Sequence, residues 1–385
     1  MTHTQTHGTV APGYEPVAEA FARAFDGRPT MGAALAILVG GETVVDLWGG
    51  VADERSGSLW EQNTATVVFS CTKGLVSILA ARLVQEGRLS YDAPVHRYWP
   101  EFATAGKGKV TVGELLAHRA GLSAPRIPFT TEQILDWDYV TSRLALQDPL
   151  WEPGTGYAYH AITHGWLAGE VIRRVASESI GDYFGRTMAQ WTGDAWIGLP
   201  ASEAHRSAHV QVSESQAQAG RALADMPDGW NLRAMTLGGA LPPELVGDGT
   251  GFNDPRVRAA QIPGAGGVAT AHALASIWSA TVIETEGDRI LDDVTLDRAL
   301  QPMSEGVPVY HAPGPWPRWG AGFQLDSAAR RYLSPRSFGH DGAGGQVAFA
   351  DPDSGTGFAF LTNWMEAGDD RATQIIDALR TVHRD

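Results

Sequence analysis

Phe69-Ser70-Cys71-Thr72-Lys73-Gly74 begins a run that continues through Leu75, Val76, Ile78, Leu79, Leu83 and Val84. The apolar residues recur at steps of three and four, so the run predicts an amphipathic or buried helix ending near Gly87. Ser70 falls at its start, where a hydroxyl side chain is favoured as a cap. Residues three apart share one helix face, which sets Lys73 beside Ser70. The unpaired N–H groups and partial positive charge of a helix N-terminus would stabilise an oxyanion at Ser70 and ease proton loss from a neighbouring ammonium. A serine hydroxyl is a weak nucleophile until a base takes its proton, and a desolvated lysine is one such base. Ser-x-x-Lys also arises by chance, and a capped helix with a surface lysine reads the same letters. Scarcity weighs against that reading: Lys73, Lys107 and Lys109 are the only lysines among 29 basic residues. Arginine keeps its proton inside a protein, whereas lysine can give it up.

The chain has 385 residues, 43% hydrophobic and 19% charged, enough for a large core and two sub-domains. Twenty-nine basic against 44 acidic residues give a net charge of −15. No basic cluster stands out, so nucleic acid and anionic membrane surfaces are poor partners. No apolar stretch reaches the ~20 residues of a membrane span. The start, Met1-Thr-His-Thr-Gln-Thr-His7, has no basic region followed by an apolar core and does not read as a secretory signal. Cys71 is the only cysteine, so no intrachain disulfide is expected. Together these features point to the cytoplasm; they leave the oligomeric state open.

Outward from the Ser70 helix, Tyr14 to Ala24 reads as a first helix. Gly32 to Val39 and Thr43 to Trp48 read as a hairpin around Gly40-Gly41-Glu42, closed by Trp48-Gly49-Gly50. Val110 to His118 reads as a short helix with Thr111 as cap and Glu114 three residues on. From Pro125 to about Pro263 the chain is long, irregular and aromatic, and predicts a mostly helical region. Thr270 to Thr281 is another helix. Trp319 to Leu325, Tyr332 to His340, Gln346 to Ala350 and Gly357 to Thr362 are short runs between turn residues, expected as antiparallel strands before a last helix, Asp369 to Val382. The order implies an α+β fold: residues 1–69 and 264–385 form one sub-domain from both chain ends, 70–263 a mostly helical one, and the active site lies between them.

Two further stretches carry chemistry. Pro153-Gly154-Thr155-Gly156-Tyr157-Ala158-Tyr159-His160 presents two tyrosines before an apolar helix from Ile162 to Val175. Tyrosine can shuttle protons where positive charge is near; aromatic residues after a turn can also merely pack, the preferred reading for Tyr157. Phe338-Gly339-His340-Asp341-Gly342-Ala343-Gly344-Gly345 links two predicted strands; its N–H groups could donate to an oxyanion, or it could be a glycine-rich hairpin with a surface histidine. His118 reads as a packed structural histidine, and Cys71 as a packed thiol. His160/His164 and His205/His209 are four apart but lack the Glu of His-Glu-x-x-His and any Cys/His cluster. Gly-x-Ser-x-Gly is absent, as is a dinucleotide-binding Gly-x-Gly-x-x-Gly after a strand.

Taken together, these stretches resemble the serine β-lactamase and penicillin-binding-protein superfamily, and within it the class C β-lactamase-like (family VIII) carboxylesterases. The likeness runs from about residue 15 to 382 in the family's order: Trp48-Gly49-Gly50, Ser70-x-x-Lys73, Leu115-Leu116-x-His118-x-x-Gly121-Leu122, Pro153-Gly154-Thr155, Tyr159, Gly266-Gly267 and His340-x-Gly342. The resemblance implies a β-lactamase-like fold with an antiparallel sheet flanked by helices. It implies Ser70 as the acylated nucleophile, with Lys73 and Tyr159 sharing the general-base role. Tyr159-His160-Ala161 then falls on the family's Tyr-x-Asn, and His340-Asp341-Gly342 on the Lys-Thr-Gly of the β-lactamases. The oxyanion hole would be the N–H groups of Ser70 and Ala343. No cofactor or metal is implied.

Two departures bear on substrate. Ala161 stands where the lactamases place an amide, and Lys-Thr-Gly is missing. Both groups help hold a β-lactam, so the expectation is a serine carboxylesterase acting on short-chain, neutral small-molecule esters. Phe129, Trp137, Tyr139 and Gly342 are expected to line its pocket. The competing readings are a β-lactamase or D,D-peptidase, an acyltransferase or amide hydrolase on the same site, and a non-enzymatic binding scaffold.

Overall fold

Ala33-Ala34-Leu35-Ala36-Ile37-Leu38 is apolar on both faces, a pattern that belongs in the middle of a covered sheet. The computed structural model describes residues 4–224, 229–310 and 313–383 and has this stretch in that position. The sheet and its cover consist, in chain order, of β1 (Thr6–Val10), α1 (Glu15–Arg23), β2 (Gly32–Val39), β3 (Glu42–Asp53), α2 (Cys71–Gln85), α3 (Thr163–Ala176), α4 (Ala271–Val282), β4 (Arg318–Trp319), β5 (Gln324–Leu325), β6 (Phe338–Asp341), β7 (Val347–Asp351), β8 (Thr356–Thr362) and α5 (Arg371–Val382). The strand order is β1-β3-β2-β8-β7-β6-β5-β4, antiparallel throughout, with Ser58–Leu59 added beside β3. The two chain ends meet at its centre, where Ala33 faces Thr362 and Val39 faces Thr356.

Alternation along the strands decides what each face touches. Ala33, Leu35, Ile37, Phe358 and Phe360 face a core with Val17 and Phe21 of α1 and Ile375 and Ile376 of α5. Ala34, Ala36, Leu38, Ala359 and Leu361 face the other core, shared with α2 and α4. Between Leu59 and Arg318 the described chain adds no strand to this sheet. It forms α2, α3 and shorter helices such as Trp137–Leu146 and Ile180–Met188, with a three-stranded sheet of Thr66–Val67, Gly267–Ala269 and Ala195–Ile197. Packing brings α2 against α3 on one side and the end of β6 on the other, which delivers Ser70 to the border between helices and sheet. No described helix is long and apolar enough to cross a membrane.

Several elements differ from expectation. β1 has a polar sequence with no alternation signal, and pairs along β3 from Thr6–Gly49 to Val10–Val45. β3 does not close at Trp48-Gly49-Gly50 but continues to Asp53. Gly50 makes this possible: it sits at φ 80°, and a Cβ there would lie 2.0 Å from the Met31 carbonyl oxygen. The helix expected from Val110 to His118 shortens to Val112–Leu116, although Thr111 and Glu114 form the anticipated capping box. The strand expected from Tyr332 is restricted to β6, and Trp319 to Leu325 folds as two two-residue strands, β4 and β5.

Candidate active site

Ser70 is the residue before the first turn of α2, as its hydroxyl suggested, but the side chain makes no capping hydrogen bond. It is turned toward two other groups. Lys73 Nζ lies 2.9 Å from Ser70 Oγ, and the Tyr159 hydroxyl donates to Ser70 Oγ at 2.8 Å. Phe69, just before the serine, has the left-handed φ of 44° and is fully buried, its ring edge-on to Phe252 at 5.7 Å. Such backbone is costly for a bulky residue and persists where packing enforces it, here at the turn that aims the serine.

Lys73 is 0% exposed, which disposes of the surface-lysine reading. Nζ donates to the Gly264 carbonyl at 2.6 Å. That carbonyl is close because α3 and the 264 turn touch backbone to backbone: a Cβ on Gly165 would lie 1.9 Å from Gly264 N. The sequence reading carried Gly266-Gly267 and missed Gly264, which acts through its backbone and so leaves no side-chain signature. Burial lowers the Lys73 pKa well below the lysine range. An uncharged amine here keeps N–H for Gly264 and a lone pair for the serine proton.

Tyr159 stacks on Trp319, ring centroids 5.4 Å apart and planes 13° apart, and Lys73 Nζ lies 4.9 Å from the Tyr159 ring centre. Burial raises the phenol pKa, opposed by the hydrogen bond with Ser70. Burial therefore disfavours the charged form of both the amine and the phenol. Tyr157 points away and donates to the Gly306 carbonyl at 2.5 Å.

The end of β6 supplies the opposite wall. His340 is buried; its Nδ1–H donates to the Asp341 carbonyl at 2.7 Å, and its Nε2 has no partner among the described residues. Burial, then the nearby Lys73, lowers its pKa to about 3. The Asp341 carboxylate pairs with Arg330 at 2.7 Å. The turn that follows is held by Gly342 N–H donating to Gln346 O at 2.7 Å and Arg371 donating to Gly344 O at 3.1 Å. No backbone carbonyl among the described residues takes up the N–H of Ser70 or Ala343. Both residues line one cleft of about 350 Å³ with Tyr159, His340 and Gly342, which sets both N–H groups beside the Ser70 hydroxyl.

Met235, Pro317, Trp319 and Gln324 also line this cleft. None was singled out from sequence: Met235 lies on a short helix far along the chain, and Trp319 read only as the start of a strand. Of the expected pocket residues, Gly342 is in the cleft, but Phe129, Trp137 and Tyr139 are not. Phe129 is buried edge-on to Tyr139 at 5.9 Å, and Trp137 Nε1 donates to Glu170 Oε2 at 2.7 Å. Their rings are used in packing the Trp137–Leu146 helix against its neighbours.

The profile of the beta-lactamase family matches residues 18–381. The chain belongs to the beta-lactamase family. Within it, the chain is 33% identical over 367 residues to "Esterase/beta-lactamase LipL" of Mycobacterium tuberculosis, covering 92% of this chain and 82% of the relative. It is similar to a crystal structure of a family VIII carboxylesterase, with TM-score 0.87 and 34% identity over 98% of this chain and 100% of the other. It is also similar to a penicillin-binding protein homolog from Caulobacter crescentus, with TM-score 0.86 and 34% identity over the same shares.

Proposed function

We propose that this protein is a serine carboxylesterase that hydrolyses short-chain, neutral esters through an acyl-enzyme on Ser70. The observation that carries the reading is the convergence on Ser70 Oγ of a fully buried lysine amine at 2.9 Å and a tyrosine hydroxyl at 2.8 Å. Lys73, with its depressed pKa, takes the serine proton as Oγ attacks the ester carbonyl. The carbonyl oxygen gathers charge between the N–H groups of Ser70 and Ala343. Tyr159, held protonated by burial, gives its proton to the departing alkoxide and regains one from Lys73. Water then attacks the acyl-enzyme with the same groups in reverse order. The site lies between the sheet-bearing lobe built from both chain ends and the helical lobe of residues 70–263.

The preference for neutral esters rests on charge. His340 stands where the resemblance places a lysine, and with a pKa near 3 it is uncharged at neutral pH. The adjacent Asp341 also lines the cleft, with its carboxylate paired to Arg330. Met235, Pro317 and Trp319 supply apolar surface for a small acyl or alcohol group. A cytoplasmic location belongs to the same proposal, supported by the single cysteine, Cys71, which is buried and free. The second reading, β-lactam hydrolysis, is favoured by the names of two similar proteins, one an esterase/beta-lactamase and one a penicillin-binding protein homolog. Steady-state hydrolysis of p-nitrophenyl esters of graded acyl length, beside nitrocefin and benzylpenicillin, tests both. Turnover confined to β-lactams would reject the esterase reading.

A further inference from the structure

We propose that His118 is a positioning residue for Tyr159, a clamp that fixes the main chain on both sides of the tyrosine. The proposal rests on Tyr159 being the proton carrier. His118 follows the short helix Val112–Leu116 and has a left-handed backbone, φ 66°. Its carbonyl accepts from the N–H of Ala158 at 3.3 Å, and its ring Nδ1 accepts from the N–H of His160 at 3.2 Å. One residue thus takes the amides immediately before and after Tyr159. The ring packs edge-on to Tyr159 at 5.0 Å and to Trp319, the other face of the stack, at 4.6 Å.

The clamp is itself anchored. His160 donates through Nδ1 to the Ala158 carbonyl at 2.6 Å and accepts at Nε2 from the Leu122 N–H at 3.1 Å. Acceptance at His118 Nδ1 requires an uncharged ring, because imidazolium has no lone pair there. His118 is 0% exposed, and burial holds its pKa well below the usual value, helped by His164, His160, Lys73 and His340. A histidine that only filled space would need neither the left-handed backbone nor the acceptor. These features matter because the tyrosine hydroxyl must stay at 2.8 Å from Ser70 Oγ, and a misplacement of about 1 Å at a reacting group costs on the order of 10²-fold in rate.

Two variants separate clamp from filler. Asparagine and glycine both tolerate left-handed backbone, and both lose the ring. Only asparagine keeps an acceptor one bond beyond Cγ, where Nδ1 sits. His118→Gly should lower kcat about 10²-fold with KM within about threefold, while His118→Asn keeps kcat within about fivefold. Adding His118→Gly to Tyr159→Phe should slow the enzyme no more than about threefold further, since a ring without a hydroxyl gains nothing from placement. If the glycine variant does not fold, His118→Ala, which removes the ring acceptor with the least strain an apolar side chain can bring to this φ, takes its place with the same expected losses. Equal losses for Asn and Gly, or multiplicative losses with Tyr159→Phe, would overturn the clamp. A Tyr159→Phe enzyme with full kcat would instead defeat the underlying assignment of Tyr159.

Discussion

Replacing Lys73 by methionine should make the protein more stable at neutral pH and nearly inactive. Methionine keeps an unbranched side chain of similar length in a fully buried site, and removes the amine. The sign follows from proton counts. In the unfolded chain lysine titrates near 10.4; in the folded protein burial depresses that value. Between the two pKa values the unfolded chain binds one more proton, so wild-type stability rises with pH. The slope from this group is about 1.4 kcal/mol per pH unit. Below the folded pKa the penalty is constant, and above 10.4 it is gone. Methionine has no such dependence. The stability advantage of Lys73→Met should therefore shrink as pH rises above the folded pKa, by about 1.4 kcal/mol for each pH unit. At about 2.1 cal/mol/K per residue, a chain of 385 residues converts each such pH unit to roughly 2 °C in Tm. Losing the hydrogen bond to Gly264 costs about 1 kcal/mol at every pH and leaves the slope alone. Thermal melts of both proteins at pH 7, 8 and 9 read the difference directly, and taking that difference removes the groups common to both. Esterase kcat should fall about 10³-fold. A stability difference that stays flat from pH 7 to 9 would mean that Lys73 is an ammonium in the folded protein, and the base assignment would fail.

Ser70→Ala should abolish ester hydrolysis in a folded protein, and a phosphonate ester should leave one adduct on the Ser70 peptide of the wild type; mass spectrometry locating it elsewhere rejects the nucleophile. Tyr159→Phe should lower kcat on the order of 10²-fold, whereas Tyr157→Phe, whose hydroxyl donates to the Gly306 carbonyl, should stay within a few-fold; reversed effects would exchange the two roles. With His340 uncharged near neutral pH, a β-lactam carboxylate lacks a charge-assisted contact of about 1.5–3 kcal/mol. kcat/KM for p-nitrophenyl acetate or butyrate should exceed that for nitrocefin and benzylpenicillin by at least about 10²-fold, and comparable values would favour the lactamase reading.

The convergence of Ser70, Lys73 and Tyr159, the trio proposed to carry the chemistry, was legible because it is written in side chains: a serine and lysine one turn apart, and a tyrosine after a Pro-Gly turn. Burial of β2 and the cap at Thr111 were legible for the same reason. What escaped acts through backbone or through tertiary placement. Gly264 contributes a carbonyl, β1 pairs through main chain under a polar sequence, and Trp319 reaches Tyr159 only once β4 folds back. The expected aromatic pocket of Phe129, Trp137 and Tyr139 failed because aromatic content predicts burial, and burial within a helical lobe does not say which surface is served. His118 was legible as buried; its left-handed backbone was not, since nothing in Leu116-Ala117-His118-Arg119 marks the end of the helix with a glycine.

The central pairing of β2 with β8 has a consequence for synthesis. Val39 must wait for Thr356, about 300 residues later. At typical elongation of 5–20 residues per second, roughly 15 to 60 s pass on the ribosome before that partner emerges. Throughout that interval one edge of an alanine- and leucine-rich strand has no neighbour, and an unpaired apolar edge invites other chains. The nascent hairpin is thus exposed to misassociation until the C-terminal strands emerge. Catalytic competence should arrive abruptly and late, because the same C-terminal strands that close the sheet carry His340 and Ala343 to Ser70.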